Sequence, residues 1–193
     1  MRKLLIATTN PGKVTEVISA LDGADFEIVS LKDFPNLPDV EETGTTFKEN
    51  AIIKAKAYSE YTSLLTLADD SGLEVDFLDG APGVYSSRFA ENDIERNKKL
   101  LGMLENVEDE DRTARFRCVI AISDNNGNVY TCEGIVEGVI QREMRGTNGF
   151  GYDPVFYIPS AGKTMAELTP QEKNNISHRG KALKKAIEIL KEI

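Results

Sequence analysis

The first part of the chain alternates between apolar runs and one-sided helical stripes. Residues 2–8 form an apolar run that predicts a buried strand, and residues 26–31 predict a second strand. Between them, four apolar residues recur at the spacing of one helix face: Val14, Val17, Ile18 and Leu21. Asp22 and Gly23 end that helical pattern. The order of strand, helix and strand is typical of an α/β protein.

The next stretch continues this order with longer elements. A helix is predicted to begin after Thr45 or Thr46, because either hydroxyl can cap it. Its apolar side is formed by Phe47, Ala51, Ala55 and Tyr58. Residues 63–72 then predict a strand, residues 73–78 continue in an extended conformation, and residues 93–105 predict another helix. Helices and strands therefore keep alternating through the first half of the chain.

A long hairpin is predicted in the middle of the chain. In residues 112–123 every second residue is apolar, which indicates a half-buried strand. Residues 124–128 (DNNGN) supply the turn, and residues 129–140 form the return strand. Residues 146–159 are glycine-rich and then extended, and a last helix follows Pro170. Its apolar face carries Ala182, Leu183, Ala186, Ile187, Leu190 and Ile193. An α/β fold with a mixed sheet is therefore predicted.

The length and composition are those of an ordinary globular domain. The chain has 193 residues, 40% hydrophobic and 28% charged, so residues 1–193 are predicted to form one domain with a substantial core. No run of about 18 apolar residues occurs, which argues against a transmembrane helix. Cys118 and Cys132 are the only cysteines, and the N-terminus does not resemble a secretory signal. These features favour the reducing cytoplasm and argue against a structural disulfide.

The net charge limits the classes of partner. At −9 the protein lacks the basic surface that neutralises nucleic-acid phosphates, so we expect no nucleic-acid partner. A small phosphorylated ligand is still compatible with this charge. A few lysines and arginines in one cleft, together with a divalent metal, can reverse the field locally.

Residues 8–13, TTNPGK, lie between the first predicted strand and the first helix. They do not form a P-loop, because Ala7 stands where its first glycine is needed and Val14 where its Ser or Thr is needed. The position at a helix N-terminus nevertheless favours an anion, and Lys13 adds a positive charge. The alternative is an ordinary strand–helix turn with a solvated lysine.

Two adjacent carboxylates, Asp69 and Asp70, come at the end of the predicted strand 63–72. That end of a strand is where α/β proteins bind ligands. Neighbouring strand residues point to opposite faces, so one carboxylate could bind Mg²⁺ or activate water while the other orients a neighbour. Asp-Asp-Ser-Gly is also favourable turn chemistry, and a plain turn is the alternative. The acidic loop with Glu41 and Glu42 offers further carboxylates for a metal.

The stretch FGYDP contains two aromatic residues in a glycine-rich loop. Phe150 and Tyr152 bracket Gly151, and exposed aromatic rings in such a loop can stack on a planar base. Packing of these rings in the core is the alternative. Asp153 precedes Pro154 and is therefore held extended, which suits a side chain that points into a cleft.

The only histidine of the chain lies where the last helix begins. His178 and Arg179 follow Ser177, which is the expected N-cap. Positive charges in the first turn oppose the helix dipole. The pair therefore predicts an anion nearby.

Six stretches, taken in order, carry a family resemblance. They are TTNPGK, EETGTTFKENAIIKA, ADDSGLEVD, GAPGVYSSR, GTNGFGYDPVF and LTPQEKNNISHRGKAL. The series resembles the inosine/xanthosine triphosphate pyrophosphatase family from about residue 4 to the C-terminus. The resemblance implies an elongated α/β molecule of two lobes around a central mixed sheet, with the active site in the cleft between the lobes. It also implies a homodimer, Mg²⁺, and hydrolysis of ITP, dITP or XTP to the monophosphate and pyrophosphate.

The resemblance also implies roles for particular residues. Asp70 is expected to accept the proton of the water that attacks the α-phosphorus. Glu42 and Asp70 are expected to hold Mg²⁺, with Glu41 and Asp69 as further contributors. The implied substrate contacts are Thr8, Thr9, Asn10, Pro11, Gly12, Lys13, Ser71, Phe150, Gly151, Tyr152, Asp153, Lys173, His178 and Arg179.

Two other functions are compatible with parts of the sequence. The first is a pyrophosphatase of the same architecture that acts on modified pyrimidine nucleotides. The second is a nucleotide-binding regulator without turnover. The pair Asp69 and Asp70 argues against the regulator, because a simple anion-binding site gains nothing from carboxylates beside a phosphate.

Overall fold

The computed structural model describes residues 2–193, and its central feature is a seven-stranded mixed sheet. The strands are β1 (Arg2–Ile6), β2 (Phe26–Ser30), β3 (Leu65–Val75), β4 (Thr113–Ser123), β5 (Val129–Ile140), β6 (Phe156–Ile158) and β7 (Lys163–Thr164). Their order across the sheet is β2-β1-β3-β4-β5-β6-β7. Strand β1 runs parallel to β2 and β3, whereas β5–β6 and β6–β7 are antiparallel pairs. The predicted α/β fold with a mixed sheet is confirmed.

Five α-helices accompany the sheet in the described residues. They are α1 (Pro11–Ala20), α2 (Phe47–Thr62), α3 (Asp93–Met103), α4 (Pro170–Ile176) and α5 (His178–Glu192). The residue before α1 is Asn10, whose side-chain oxygen accepts hydrogen bonds from the first backbone N–H groups. Thr46 caps α2 in the same way, and Glu49 reaches back to complete a capping box. The local capping chemistry therefore explains where these two helices begin.

The chain divides into two compact units. The first contains residues 1–70, 118–134 and 179–193, and the second contains residues 71–117 and 135–178. Strands β3, β4 and β5 each contribute residues to both units.

Each unit has its own hydrophobic core. In the first unit, apolar residues of β1, β3 and β4 are buried together with one face of α5, which includes Ala182, Leu183 and Ala186. Ala182, Leu183, Ala186 and Leu190 of the predicted apolar stripe are thus buried, whereas Ile187 and Ile193 are partly buried. In the second unit, residues of α3, β4, β5 and β6 form the core, and Phe116 packs on Phe156 with ring centroids 4.5 Å apart.

The structure corrects two sequence-based boundaries. Strand β3 begins at Leu65 and continues to Val75, so it includes part of the stretch 73–78 that was predicted only as extended. Its parallel pairing with β1 ends near Leu67, where β1 itself ends. The two aspartates therefore lie within a strand, just beyond the part that β1 covers, because β4 continues as a neighbour of β3.

The second correction concerns the C-terminal helices. The segment after Pro170 forms a separate helix, α4, which ends at Ile176 before α5 begins at His178. Thr169 caps α4, and Ser177 separates the two helices. His178 and Arg179 therefore do lie in the first turn of the last helix, as the sequence indicated.

No helix in residues 2–193 is long and apolar enough to cross a membrane. Both cysteines are free thiols, and Cys118 is buried.

Candidate active site

The loop between β1 and α1 is held by its own polar side chains. The Asn10 side-chain oxygen accepts hydrogen bonds from the backbone N–H groups of Gly12 (2.9 Å) and Lys13 (3.2 Å). The Thr8 hydroxyl accepts one from the Asn10 N–H at 3.3 Å. Two N–H groups at this helix N-terminus, those of Gly12 and Lys13, are thus satisfied by the Asn10 cap and not by an anion. The loop can contact an anion through the partly exposed Thr8 hydroxyl, the amide NH₂ of Asn10 and the exposed residues Thr9 and Pro11.

Asp69 is buried against positive side chains from distant parts of the sequence. Its Oδ2 lies 2.9 Å from Lys13 Nζ and 3.3 Å from Arg179 Nε. The thiol of Cys118 also contacts this oxygen, with 3.8 Å between Sγ and Oδ2. Arg179 in turn forms an ion pair with Glu16 of α1. The anion predicted near Arg179 is therefore provided by the protein itself, in the form of Asp69 and Glu16.

These charges keep Asp69 ionised. Burial alone would raise the pKa of Asp69, but the positive charges of Lys13 and Arg179 outweigh it and hold the pKa well below the usual value. Burial likewise works against the charge of Arg179, and Asp69 and Glu16 reverse that effect and raise its pKa. Asp69 thus serves as a permanent negative charge that positions Lys13 and Arg179.

Asp70 has a different environment, although it is the next residue on β3. Its Oδ2 accepts a hydrogen bond of 3.1 Å from Asn50 Nδ2, and its Oδ1 lies 3.9 Å from Lys54 Nζ. Burial raises the pKa of Asp70, and the charges of Lys54 and Lys13 only partly oppose this shift. The two neighbouring carboxylates therefore differ in basicity, and a more basic, hydrogen-bonded carboxylate is what a general base requires.

Asn50 is held by the acidic loop that precedes α2. Its side-chain oxygen accepts a 2.8 Å hydrogen bond from the Gly44 N–H, which leaves the NH₂ group to bind Asp70. A Cβ atom on Gly44 would lie 2.6 Å from the Glu49 Cβ, so the close approach of this loop requires glycine. The loop is thus fixed at Gly44, close to Glu42.

Lys54 lies among several oxygen atoms of the site. Its Nζ donates to the Asp69 carbonyl oxygen at 2.7 Å and forms an ion pair with Glu42. Burial would lower the pKa of Lys54, but the charges of Asp69, Asp70 and Glu42 more than compensate and raise it. Glu42, rather than the exposed Glu41, is the glutamate of the acidic loop that faces these groups.

The donor atoms around Lys54 Nζ suit magnesium. Glu42, Asp70 and the Asp69 carbonyl place oxygen atoms around one positive charge. Magnesium prefers oxygen ligands and is commonly held by one or two carboxylates together with substrate phosphates. Residues 2–193 contain no group of three or more His, Cys, Asp or Glu side chains arranged to hold a metal. Glu42 and Asp70 offer two carboxylates, the number with which proteins commonly hold magnesium.

The second unit contains the glycine-rich loop and its own buried ion pair. Lys173 Nζ lies 2.6 Å from Asp153 Oδ2, and both side chains are almost completely buried. The same carboxylate oxygen accepts a 2.8 Å hydrogen bond from the Phe150 N–H. A Cβ on Gly149 would lie 2.0 Å from that oxygen, so only glycine fits there. Lys173 Nζ also lies 4.6 Å from the centroid of the half-buried Phe150 ring, a cation–π contact.

Tyr152 does not present an exposed ring. Only 3% of its surface is accessible, it belongs to the core of the second unit, and its hydroxyl donates a 2.9 Å hydrogen bond to the Ser86 carbonyl. The packing alternative describes this ring correctly, because the loop turns at Gly151 (φ +64°) and directs Tyr152 into the core. Phe150 is the aromatic residue of this loop that retains accessible surface.

His178 lies on an aromatic ring of the same unit. Its imidazole stacks on Phe116 with centroids 4.7 Å apart and an interplanar angle of 13°. Ser71, the first β3 residue of this unit, is half-buried. The structure thus gathers Phe150, Asp153 and Lys173 in one network and places His178 against the core.

Three side chains of the first unit were missed by the sequence reasoning. Asn50 and Lys54 contact Asp70, and Glu16 pairs with Arg179. The helical period held a signal for two of them. Residues 50 and 54 fall on the same side of α2 as Phe47 and Ala51, so a polar and a charged side chain there lie on a buried face. Glu16 carried no comparable signal.

The fold and these side chains define an α/β protein with a buried carboxylate–lysine site and an aromatic, glycine-rich loop. The sequence profile of the Ham1 family matches residues 4–189, so the chain belongs to the Ham1 family. A protein named dITP/XTP pyrophosphatase from Desulforamulus reducens is 58% identical, covering 97% of this chain and 95% of its own length. One of the same name from Bacillus licheniformis is 53% identical, covering 98% of each.

Solved structures agree with this assignment. A HAM1 protein from Coxiella burnetii superposes with a TM-score of 0.91, at 48% identity over the full length of both chains. The Ham1 protein of Staphylococcus aureus gives a TM-score of 0.88, at 40% identity over 99% of each chain. The resemblance read from the six sequence stretches is confirmed.

Proposed function

We propose that this protein hydrolyses the non-standard purine nucleoside triphosphates ITP, dITP and XTP to the monophosphate and pyrophosphate. The observation that carries the proposal is the difference between two adjacent buried carboxylates. Asp69 is ringed by Lys13 and Arg179, whereas Asp70 is held by Asn50 beside Lys54 and Glu42. The names of two relatives more than 50% identical over nearly their whole length support the same reaction.

Asp70 is the proposed proton acceptor. Its Oδ2 accepts a hydrogen bond from Asn50, which fixes the carboxylate that is proposed to take the proton of a water molecule. The hydrogen bond also fixes the direction in which the carboxylate can act, because Asn50 is itself anchored to the backbone of Gly44. The proposed attacked atom is the α-phosphorus, from which the β- and γ-phosphates leave together as pyrophosphate.

Glu42 and Asp70 are the proposed carboxylate ligands of Mg²⁺. When bound, the ion neutralises phosphate charge and makes a coordinated water more acidic. The protein's own residues provide the other parts. Lys54 disperses negative charge among Glu42, Asp69 and Asp70, and the loop from Thr8 to Lys13 faces the phosphates.

Lys13 is the proposed mobile cation of the phosphate loop. It is the residue of that loop whose charge contacts Asp69, at 2.9 Å, and its side chain is only 13% exposed. A triphosphate attracts this ammonium group more strongly than a single carboxylate does, because it carries several negative charges. Asp69 then keeps Lys13 close to the position at which it is needed.

Phe150, Gly151 and Asp153 are the proposed contacts for the base, with Tyr152 acting through its backbone. The Phe150 ring offers a stacking surface, and Lys173 lies against that ring. Inosine and xanthosine carry an O6 acceptor and a protonated N1, whereas adenosine reverses both. Hydrogen-bond donors directed at O6 would be left unpaired against ATP, which is the basis for rejecting it. His178 is a proposed donor of this kind.

We also propose that the protein acts as a homodimer in the cytoplasm, without a nucleic-acid partner. The second unit exposes two large apolar side chains, Phe77 and Tyr85, at 53% and 64% accessibility. Aromatic residues are enriched at protein–protein interfaces, which supports a dimer. Light scattering coupled to size-exclusion chromatography tests the dimer, and a mass of about one 21.3 kDa chain contradicts it.

The proposed reaction is tested by product analysis with the purified protein, Mg²⁺ and separate ITP, dITP, XTP, GTP, ATP and dUTP. Pyrophosphate and monophosphate from the first three, with little product from the others, is the expected result. Orthophosphate with a diphosphate product would mean attack at the γ-phosphorus. Preferential turnover of pyrimidine triphosphates supports the pyrimidine alternative, and tight ITP binding without turnover supports the regulator. The assay is repeated with Asp70→Asn, which removes the proposed proton acceptor. Asp22→Asn, at an exposed position, is its matched control.

A further inference from the structure

The backbone of Gly151 is hydrogen-bonded on both sides to helix α3. Its N–H donates a 2.7 Å hydrogen bond to Asp93 Oδ2, and its carbonyl oxygen accepts a 2.8 Å hydrogen bond from Asn97 Nδ2. Asp93 and Asn97 are four residues apart and therefore lie on one face of α3. All three residues belong to the second unit. One helical turn thus fixes both polar groups of the glycine that separates Phe150 from Tyr152.

The geometry at Asn97 is unusual for a buried amide. The side chain is 2% exposed, and its NH₂ group donates to two carbonyl oxygens, those of Gly151 and Asp93. Its own oxygen atom has no hydrogen-bond partner in the described residues. Leaving a buried acceptor unpaired is unfavourable. Rotating the amide would not help, since its oxygen would then face two carbonyl oxygens. The NH₂ group is thus committed to holding the Gly151 carbonyl.

The rest of the loop is anchored elsewhere. The Phe150 N–H donates to Asp153, and the Tyr152 hydroxyl donates to Ser86 in the core. Gly151 itself has a positive φ of 64° and no side chain that could pack. The contacts from α3 are therefore what determines the orientation of the peptide between the two aromatic residues. A change at Asn97 or Asp93 would be transmitted directly to Phe150.

We propose that Asp93 and Asn97 are positioning residues for base recognition. They act through the backbone N–H and carbonyl groups of Gly151. By holding these groups, they fix the orientation in which the Phe150 ring and the loop backbone contact the base. This inference rests on the proposed function, in which that loop binds the base. Neither residue needs to touch the nucleotide. Their loss should therefore weaken recognition of the base and leave recognition of the phosphates intact.

The test compares ITP with a probe that has no base. Asn97→Leu keeps the approximate size of the side chain but removes the donor. The readouts are KM and kcat for ITP, the ratio of kcat/KM for ITP to that for GTP, and the inhibition constant of inorganic tripolyphosphate. Loss of one hydrogen bond predicts a KM for ITP raised about tenfold with a nearly constant kcat. The inhibition constant of tripolyphosphate should not change.

A second pair of variants keeps the inference testable if Asn97→Leu does not fold. Asp93→Ala removes the acceptor for the Gly151 N–H, whereas Asp93→Asn keeps an acceptor oxygen at the same place. The alanine variant should raise the KM for ITP, and the asparagine variant should restore much of the loss. Lys98→Gln, on the exposed side of α3, is the matched control and should behave as the unmodified protein.

The outcomes separate this inference from the proposed function. If Phe150→Ala leaves the KM for ITP unchanged, the loop does not bind the base and the proposed base contact fails. If Phe150→Ala raises that KM but Asn97→Leu and Asp93→Ala do not, the positioning role alone is wrong. Equal losses for ITP and tripolyphosphate, or no rescue by Asp93→Asn, would also overturn it, because they indicate a purely structural effect.

Discussion

The two units of this protein position their functional side chains by different means. In the first unit, Asp69 is fixed by opposite charges that come from Lys13 and Arg179, and Asp70 is surrounded by Asn50, Lys54 and Glu42. The second unit also has a buried ion pair, Asp153 with Lys173, but its glycine-rich loop is fixed mainly by hydrogen bonds to its backbone and by packing of Tyr152 in the core. The position of a buried charged side chain depends on its charged partners, whereas the conformation of the loop depends on the hydrogen bonds to its backbone.

The proposed function assigns the phosphates to residues of the first unit and the base to the loop of the second unit. The phosphates carry charge and are the same in every nucleotide, so a charge-rich site suits binding and chemistry there. The bases differ only in a few donors and acceptors, so a precisely shaped loop suits discrimination. We therefore expect changes in the first unit to affect turnover of all nucleotides alike, and changes in the second unit to affect the choice among them.

The largest effect is expected from Asp70→Asn. The amide cannot accept the proton of water, so kcat for ITP should fall about 10³-fold or more. Nucleotide binding should be largely retained, because the phosphate loop is unchanged. Single-turnover assays and equilibrium binding of ITP measure the two effects separately. A kcat within threefold of the unmodified protein would remove Asp70 from the mechanism.

Arg179→Met should destabilise the protein through the charges it leaves behind. The guanidinium is 2% exposed and faces Asp69 and Glu16, so its loss removes one of the positive charges that hold the buried Asp69 and also removes the ion pair with Glu16. A destabilisation of about 3 kcal/mol is expected from breaking such a buried pair. Urea unfolding of this variant beside Lys191→Met, whose ion pair is exposed, measures the difference. Equal stabilities of the two variants would contradict charge control in the first unit.

Phe150→Ala tests the second unit. Removing the ring should raise the KM for ITP about tenfold, since stacking of a base on an aromatic ring contributes roughly 1–3 kcal/mol. The value of kcat should change little, because the residues proposed for chemistry lie in the first unit. Parallel assays with ITP and GTP give the effect on selectivity. A fall in kcat with an unchanged KM would assign Phe150 to the chemical step instead.

A small, pH-dependent effect is expected from Glu172→Gln. Hydrogen bonds from Thr169 and from Lys163 lower the pKa of Glu172 to about 2, below its usual value of 4.5. A lowered pKa in the folded state means that the carboxylate stabilises the fold above pH 4.5 and that this contribution is lost as the pH falls toward 2. The difference in Tm between the two proteins should therefore shrink between pH 6 and pH 3. A constant difference would show that charge is not its source.

The sequence predicted the parts of the fold that depend on local pattern. The Asn10 turn and α1 follow from neighbouring residues, and the central hairpin follows from alternation in residues 112–123. The strand was predicted to end at residue 72, although β3 continues to Val75 beside β4, which begins only at Thr113. Local patterns cannot reveal such a partner.

The sequence indicated most residues of the candidate site but not which of them contact one another. Asp69 and Arg179 are 110 residues apart, and nothing in the sequence indicated that they form an ion pair. The sequence left open whether Tyr152 is exposed or packed, because a glycine-rich loop does not indicate which of its rings turns inward. Lys54 could have been found from its place on the buried face of α2.

The central claim is that water, activated at Asp70, attacks the α-phosphorus. Hydrolysis of ITP in ¹⁸O-labelled water, followed by mass spectrometry of both products, tests it most directly. The account predicts that the label enters the monophosphate and that pyrophosphate stays unlabelled. Label in pyrophosphate would place the attack on the β-phosphorus and contradict the claim that the α-phosphorus is attacked.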